Sequence, residues 1–254
     1  MLYIQSDFED ATKDLMRLMA IGIHPDDVEI GCGGTVAVHA AAGDDVTIVD
    51  LTRGESSTNG APEERAREAA EGARILGATR RVNVGLPDAG VQSEDIAQTR
   101  AVVAVIRAYR PHVLLVPNPD DAHPDHASGG MLIQRAAFLS NVNGYVTEGD
   151  GTPQERWYVA RMLVYSGRKE VRPAIIVDIT SKYEIKLASI RAHATQVSGG
   201  PGALPTRLND GGLFGSVEGR ALVAGRRVGV TYGEAFQLIA PVLLTRLDVI
   251  APES

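Results

Sequence analysis

The chain has 254 residues, 44% of them apolar and only 5% aromatic, so a single core of Leu, Val, Ile and Ala is expected over 1–254 without a second domain. Net charge is −7 with no Lys/Arg stripe, which argues against a nucleic-acid partner. No apolar run reaches the roughly 18 residues of a membrane span, the start is acidic (Asp7, Glu9, Asp10, Asp14) where a signal peptide is basic, and Cys32 is the only cysteine, so a cytoplasmic protein with no internal disulfide and no membrane partner is expected.

In chain order, Leu18–Ile23 is a short apolar run suited to a buried strand, and Val46–Leu51 is a second, rich in β-branched residues. Residues 62–76 read as a helix that opens on Pro62-Glu63-Glu64 and stops near Gly77. Arg81–Val84 is a weaker third strand. Residues 94–108 form a helix with Ile96, Val103 and Ile106 near one face. Val113–Val116 is a fourth strand, closed by Pro117. Leu163–Tyr165 and Ala174–Val177 are later strands, and 181–196 and roughly 233–240 read as helical. Residues 197–231 are rich in Gly, Pro and Arg and read as an irregular excursion, a lid or subunit contact. The alternation predicts an α/β, Rossmann-like, mostly parallel sheet with helices on both faces and strand order 3-2-1-4-5 in the first half.

His24-Pro25-Asp26-Asp27-Val28-Glu29 directly follows strand one, and His123-Pro124-Asp125-His126 follows strand four. In that strand order the two are neighbours at the switch point, where ligands bind. Catalytic zinc takes three protein ligands and keeps one position open for water. His24 and Asp27 are spaced so that one loop aims both at an ion, and His126 completes the set. Asp26 is placed to take a proton from the attacking water. His123 is suited to the oxyanion or the leaving amine, with Asp125 fixing its tautomer and keeping it charged. A His-Pro-Asp turn alone is usually a helix cap; two at adjacent strand ends are not explained that way.

Gly31-Cys32-Gly33-Gly34 fits neither the Walker nor the dinucleotide pattern, and reads as close helix–sheet packing with Cys32 a small packed residue. Thr52-Arg53-Gly54-Glu55 follows strand two, so Arg53 and Glu55 rim the crevice as substrate contacts, with a surface ion pair the equal alternative. Asp120-Asp121 read as loop charges, with a substrate contact the alternative. His39 and His112 read as structural or solvated, and His193 as solvated at a helix end, with an approach to the pocket the alternative.

Ile23-His24-Pro25-Asp26-Asp27-Val28-Glu29, His123–His126 and Thr-Arg-Gly-Glu together resemble the PIG-L/LmbE family of zinc N-acetylglucosaminyl deacetylases, with Ile23 where the family has Ala. The resemblance runs from about residue 17 to the C-terminus and leaves 1–15 outside. It implies hydrolysis of an N-acetyl group, zinc on His24, Asp27 and His126, Asp26 as base, His123 with Asp125 assisting, and Arg53 on the substrate. Ligand type alone leaves iron(II) open. The partner implied is a small N-acetylated amino sugar. Lys186–His193 and Gly229–Phe236 resemble the bacillithiol-biosynthesis branch, which acts on N-acetylglucosaminyl malate. Some members of that branch carry an oxyanion-assisting tyrosine where Gly212-Leu213-Phe214 lies here. The family also implies a homo-oligomer, often a hexamer. Mycothiol-type, chitobiose-type and antibiotic-glycoside substrates stay open, as do an amidase of a thiol conjugate and a non-catalytic sugar- or nucleotide-binding protein.

Overall fold

The computed structural model describes residues 15–198 and 202–243. The acidic N-terminal segment and 199–201 of the excursion lie outside the described residues.

Seven strands form one sheet: β1 (Arg17–Gly22), β2 (Asp45–Thr52), β3 (Arg80–Leu86), β4 (Val113–Pro117), β5 (Arg161–Tyr165), β6 (Ile175–Asp178) and β7 (Gly233–Leu238). Their order is β3-β2-β1-β4-β5-β7-β6. The first five are parallel neighbours, as expected, and β7 runs antiparallel to both β5 and β6. A small hairpin, Glu148–Gly149 with Thr152–Pro153, stands apart from the sheet.

Strand periodicity sorts the core into two faces. Met19, Ile21 and Ile23 pack with Val102, Val103 and Ile106 of helix α3 (Ile96–Tyr109) and with Leu132 and Ile133 of α4 (Pro124–Ser140). Leu18 and Ala20 face Val28, Cys32 and Val36 of α1 (Asp27–Ala41) and Leu76 of α2 (Pro62–Leu76). Buried on both faces, β1 reads as a continuous apolar run, while β2 interrupts its apolar residues with buried Thr47 and Asp50. Helix α2 begins with Pro62 in its first turn, Glu64 accepts from the Ala61 amide, and the helix ends at Gly77 with φ 76.

Three expectations need correction. Residues 233–238 are strand β7, not helix: Ala235 pairs with Ile176 and Phe236 with both Ile175 and Tyr165. Tertiary pairing overrides the helical preference of Glu, Ala and Gln there. The excursion contains a sixteen-residue helix, Leu213–Val228. It packs Leu213, Val217 and Ala221 against Tyr183, Leu187 and Ile190, the last three on the helix Tyr183–Ala192. Ile96 is 62% exposed, so the buried stripe of α3 begins later.

Helix α1 is interrupted at Cys32, which has φ −146 and ψ 21. Past the break, the amides of Gly34 and Thr35 donate to the buried carboxylate of Glu234 on β7, at 2.9 and 2.6 Å. Lys186 pairs with the same carboxylate and donates to the Ile30 carbonyl. The orphan amides of a restarted helix are thereby satisfied by a side chain from a strand next to the far edge of the sheet.

Candidate active site

The first motif occupies the turn from β1 into α1. Asp27 folds back so that its Oδ2 accepts from the amides of Ile23 and His24, at 2.9 and 2.8 Å. That leaves Oδ1 facing His126 Nε2 at 3.3 Å. The second motif opens α4, with His123 at its N-cap and Pro124 in its first turn. His126 Nε2 lies 3.3 Å from His24 Nδ1. The two expected segments therefore meet, and His24, Asp27 and His126 offer ligand atoms within 4.8 Å of one another.

Two ring nitrogens and one carboxylate oxygen converging this closely suit a borderline divalent ion with an open position. A second group, His24, Asp88 and Asp125, also lies within 4.8 Å. Its Asp88 is already engaged. It pairs with His24 Nε2 at 3.0 Å, and its other oxygen accepts from the Ser56 amide at 2.8 Å. That outer contact turns Nδ1 of His24 toward Asp27 and His126, so the first group fits the metal better. Asp121 stands behind His126 in the same way, 3.8 Å from Nδ1, while accepting from the amides of His123 and Arg168. Asp88 and Asp121 are thus positioning groups that residue spacing did not single out. Asp88 had a readable signal, since Leu86-Pro87-Asp88 also sits at the carboxyl end of a strand.

The charges follow from this packing. Burial lowers the affinity of His24 and His126 for protons, but neighbouring carboxylates outweigh it: Asp27 and Asp88 hold His24 up at about 10, and Asp27 with Asp121 holds His126 up at about 9. Asp27 is pushed well below the usual range because both histidines overcome its burial. A cation bound at this group would take the place those protons occupy.

Asp26 is 4% exposed and has φ 131, a costly conformation for a residue with a side chain. Burial raises its carboxyl to about 6, against the lowering effect of Arg65. Arg65, on α2, reaches Asp26 Oδ2 at 3.3 Å, the Pro25 carbonyl at 2.8 Å and the Gly54 carbonyl at 3.0 Å. One buried guanidinium therefore ties the loop after β1 to the loop after β2. Gly54, with φ 66, is required there: a Cβ would lie 1.7 Å from Arg65 Nη1.

His123 stacks on His126 with centroids 4.6 Å apart and an interplanar angle of 21°. Its expected partnership with Asp125 is corrected in kind. The Asp125 amide, not its carboxylate, donates to His123 Nδ1 at 3.2 Å. The Asp125 carboxylate points elsewhere, with Oδ2 buried, unpartnered and 3.9 Å from His24 Nε2. Burial, reinforced by the neighbouring histidines, lowers the His123 pKa, so the ring is not held charged. A neutral ring accepting at Nδ1 carries its proton on Nε2.

Arg53 is exposed, and its guanidinium has no hydrogen bond or ion pair among the described residues, so the ion-pair alternative is not seen. Glu55 is occupied within the rim, accepting from the amides of Asp88 and Arg53. It shapes the loop instead of reaching outward. Asp120 pairs with Lys169. His39 pairs with Asp44, and His112 binds Arg17. Cys32 is fully buried, as expected of a packed residue. His193 departs from expectation: it is fully buried, with Nε2 3.2 Å from Glu29 Oε1. Leu213, where the related branch carries tyrosine, is packed into the core.

A family model described as GlcNAc-PI de-N-acetylase, PIG-L, matches residues 19–137, a span that holds both motifs. The diacetylchitobiose deacetylase of Thermococcus kodakarensis is 30% identical over 201 residues, 72% of this chain and 71% of that protein. The chain belongs to the PIG-L family. Another relative is the 1D-myo-inositol 2-acetamido-2-deoxy-alpha-D-glucopyranoside deacetylase of Salinispora arenicola, 27% identical, with 83% of this chain and 86% of that one covered. Among solved structures, the conserved protein TT1542 from Thermus thermophilus superposes with a TM-score of 0.80 at 34% identity, covering 91% of this chain and 98% of that one. PIG-L membership and the α/β fold thus agree from sequence and from shape.

Proposed function

We propose that this protein is a zinc-dependent hydrolase that removes the N-acetyl group from a small N-acetylglucosamine-containing molecule, giving acetate and the free amine. The observation that carries the reading is the meeting of His24, Asp27 and His126 beside a spare, fully buried carboxylate, Asp26, in a PIG-L chain. Bound at the first group, zinc supplies a Lewis acid for the acetyl carbonyl and acidifies water at the site. Asp26, raised by burial yet ionised at neutral pH, accepts the proton of the attacking water and returns it to the leaving amine. Arg65 holds that carboxylate in place. Neutral His123 offers its Nε2–H to the developing oxyanion, its tautomer set by the Asp125 amide. Arg53, unpaired at the rim, contacts the sugar or its aglycone.

The relatives' names carry a myo-inositol glycoside and diacetylchitobiose. The malate glycoside expected from the second half of the sequence is not supported by the relatives named above, whose names carry other aglycones. We take the cytoplasm as the working compartment, on the composition, and a homo-oligomer as the working state, on the family resemblance; among the described residues no helix is long and apolar enough to cross a membrane. The test is acetate release by zinc-reconstituted protein from the inositol glycoside, diacetylchitobiose and the malate glycoside, with and without chelator. Chelator-sensitive release from any of them is expected, and kcat/KM ranks the aglycones. No release from the whole panel refutes the reading.

A further inference from the structure

Two residues past Asp27 on α1, Glu29 lies fully buried. Its Oε1 takes Arg81 Nη1, and Arg81 also forks onto Asp50, with Nε to Oδ2 at 2.7 Å and Nη2 to Oδ1 at 2.8 Å. One guanidinium thus serves two buried carboxylates, while Arg65 is committed to Asp26. Three buried acids face two fixed cations. Burial raises the carboxyls of Asp50 and Asp26, which eases that imbalance, and a cation beside Glu29 eases it further.

His193 is the group in place to supply it. Its ring is wholly enclosed, and Nε2 stands 3.2 Å from Glu29 Oε1, off the line of a hydrogen bond. The charged groups facing it are Asp26 and Glu29 from the first motif and α1, Asp50 from β2 and Arg81 from β3. Helix α2 brings to this cluster the Ala69 carbonyl, which accepts from Arg81, while its Glu68 binds Thr195. It also brings Gly72, whose Cβ would come 2.6 Å from Glu29 Oε1 and 3.1 Å from His193 Nε2. The missing side chain leaves the recess in which the two groups meet. His193 lies between two helices, at the C-cap of Tyr183–Ala192, which favours a cation, and at the N-cap of the four-residue helix Ala194–Val197, which does not.

We propose that His193, as an imidazolium held against Glu29, is a positioning residue for the metal group. From the end of its own helix it anchors the start of α1, and with it the carboxylate of Asp27. The inference rests on the metal-site reading above and assigns His193 no contact with substrate.

The test uses zinc competition against a chromogenic chelator, with nitrogen NMR of histidine-labelled, zinc-loaded protein. In the wild type, both ring nitrogens of His193 are expected to be protonated at about pH 7.5. His193→Phe and Gly72→Ala are expected to bind zinc about tenfold or more weakly, as outer-contact losses do. His193→Lys, which restores the charge, is expected to stay within about threefold of wild type. A neutral His193 ring, or a folded His193→Phe with wild-type affinity, overturns the proposal. If His193→Phe does not fold, wild-type affinity in Gly72→Ala overturns it instead. Acetate release is not the readout, so a protein with these affinities that deacetylates nothing refutes the proposed function and leaves this inference standing.

Discussion

Replacing Asp88 separates the orientation of His24 from its presence. Asp88 is the outer contact of His24 Nε2 at 3.0 Å, and it is braced by the Ser56 amide and, through its own amide, by Glu55. Asp88→Ala deletes the acceptor, freeing the ring to rotate and to change tautomer. Losses of this kind reduce metal affinity by about 10- to 100-fold, which is about 1.4 to 2.8 kcal/mol. Asp88→Asn keeps one oxygen for His24 but turns an amino group toward the Ser56 amide, so it should fall between wild type and alanine. The assay is zinc competition at fixed pH, followed by kcat on reconstituted protein. Asp88→Ala with wild-type zinc affinity would refute Asp88 as the contact that orients His24, and would exclude the alternative group as well, since Asp88 is one of its ligands.

Three further outcomes are expected. Asp26→Ala should abolish turnover with zinc still bound, while His126→Ala should lose zinc; near-normal turnover in the first would remove Asp26 as the base. The base must be ionised to act, and burial places its folded pKa near 6, above the ordinary carboxylate value, so kcat/KM should fall as pH drops through that value. A cation next door favours the ionised form, so the acid limb should lie at or below about pH 6, and a limb above pH 7 would contradict this. Gly54→Ala forces Arg65 off two carbonyls, each a charge-assisted bond, and should cost on the order of 2 kcal/mol. Thermal melting should then drop by about 4 to 8 °C; an unchanged midpoint would mean that the tie between the two loops is slack.

The sequence showed most clearly what is local. Helix α2 carries its own start and stop in Pro62, Glu64 and Gly77, and β1, β2 and β4 are apolar enough to read without partners. The two histidine motifs were legible because both follow such strands. What depended on distant contacts was not. Strand β7 owes its conformation to pairing on both sides, so its Glu, Ala and Gln pointed the wrong way. The helix Leu213–Val228 does carry a period, with Leu213, Val217 and Ala221 four apart, but Gly215, Gly219 and Gly225 mask it. Gly225 is there because a Cβ would meet the Thr231 carbonyl at 2.7 Å. His193 resembled a solvated helix end because nothing local shows that Glu29 and Gly72 close over it. The role of Asp125 was half legible: it does set the tautomer of His123, but through its backbone.

The grip of Glu234 on the amides of Gly34 and Thr35 spans 200 and 199 positions of the chain. The helix that presents Asp27 is therefore finished only when nearly the last strand has been made. A nascent chain that has emerged through both histidine motifs still lacks the clasp that completes α1, as well as Lys186, which neutralises it. Completion of the helix that carries Asp27 therefore comes late in synthesis, when residues 200 positions apart have been joined.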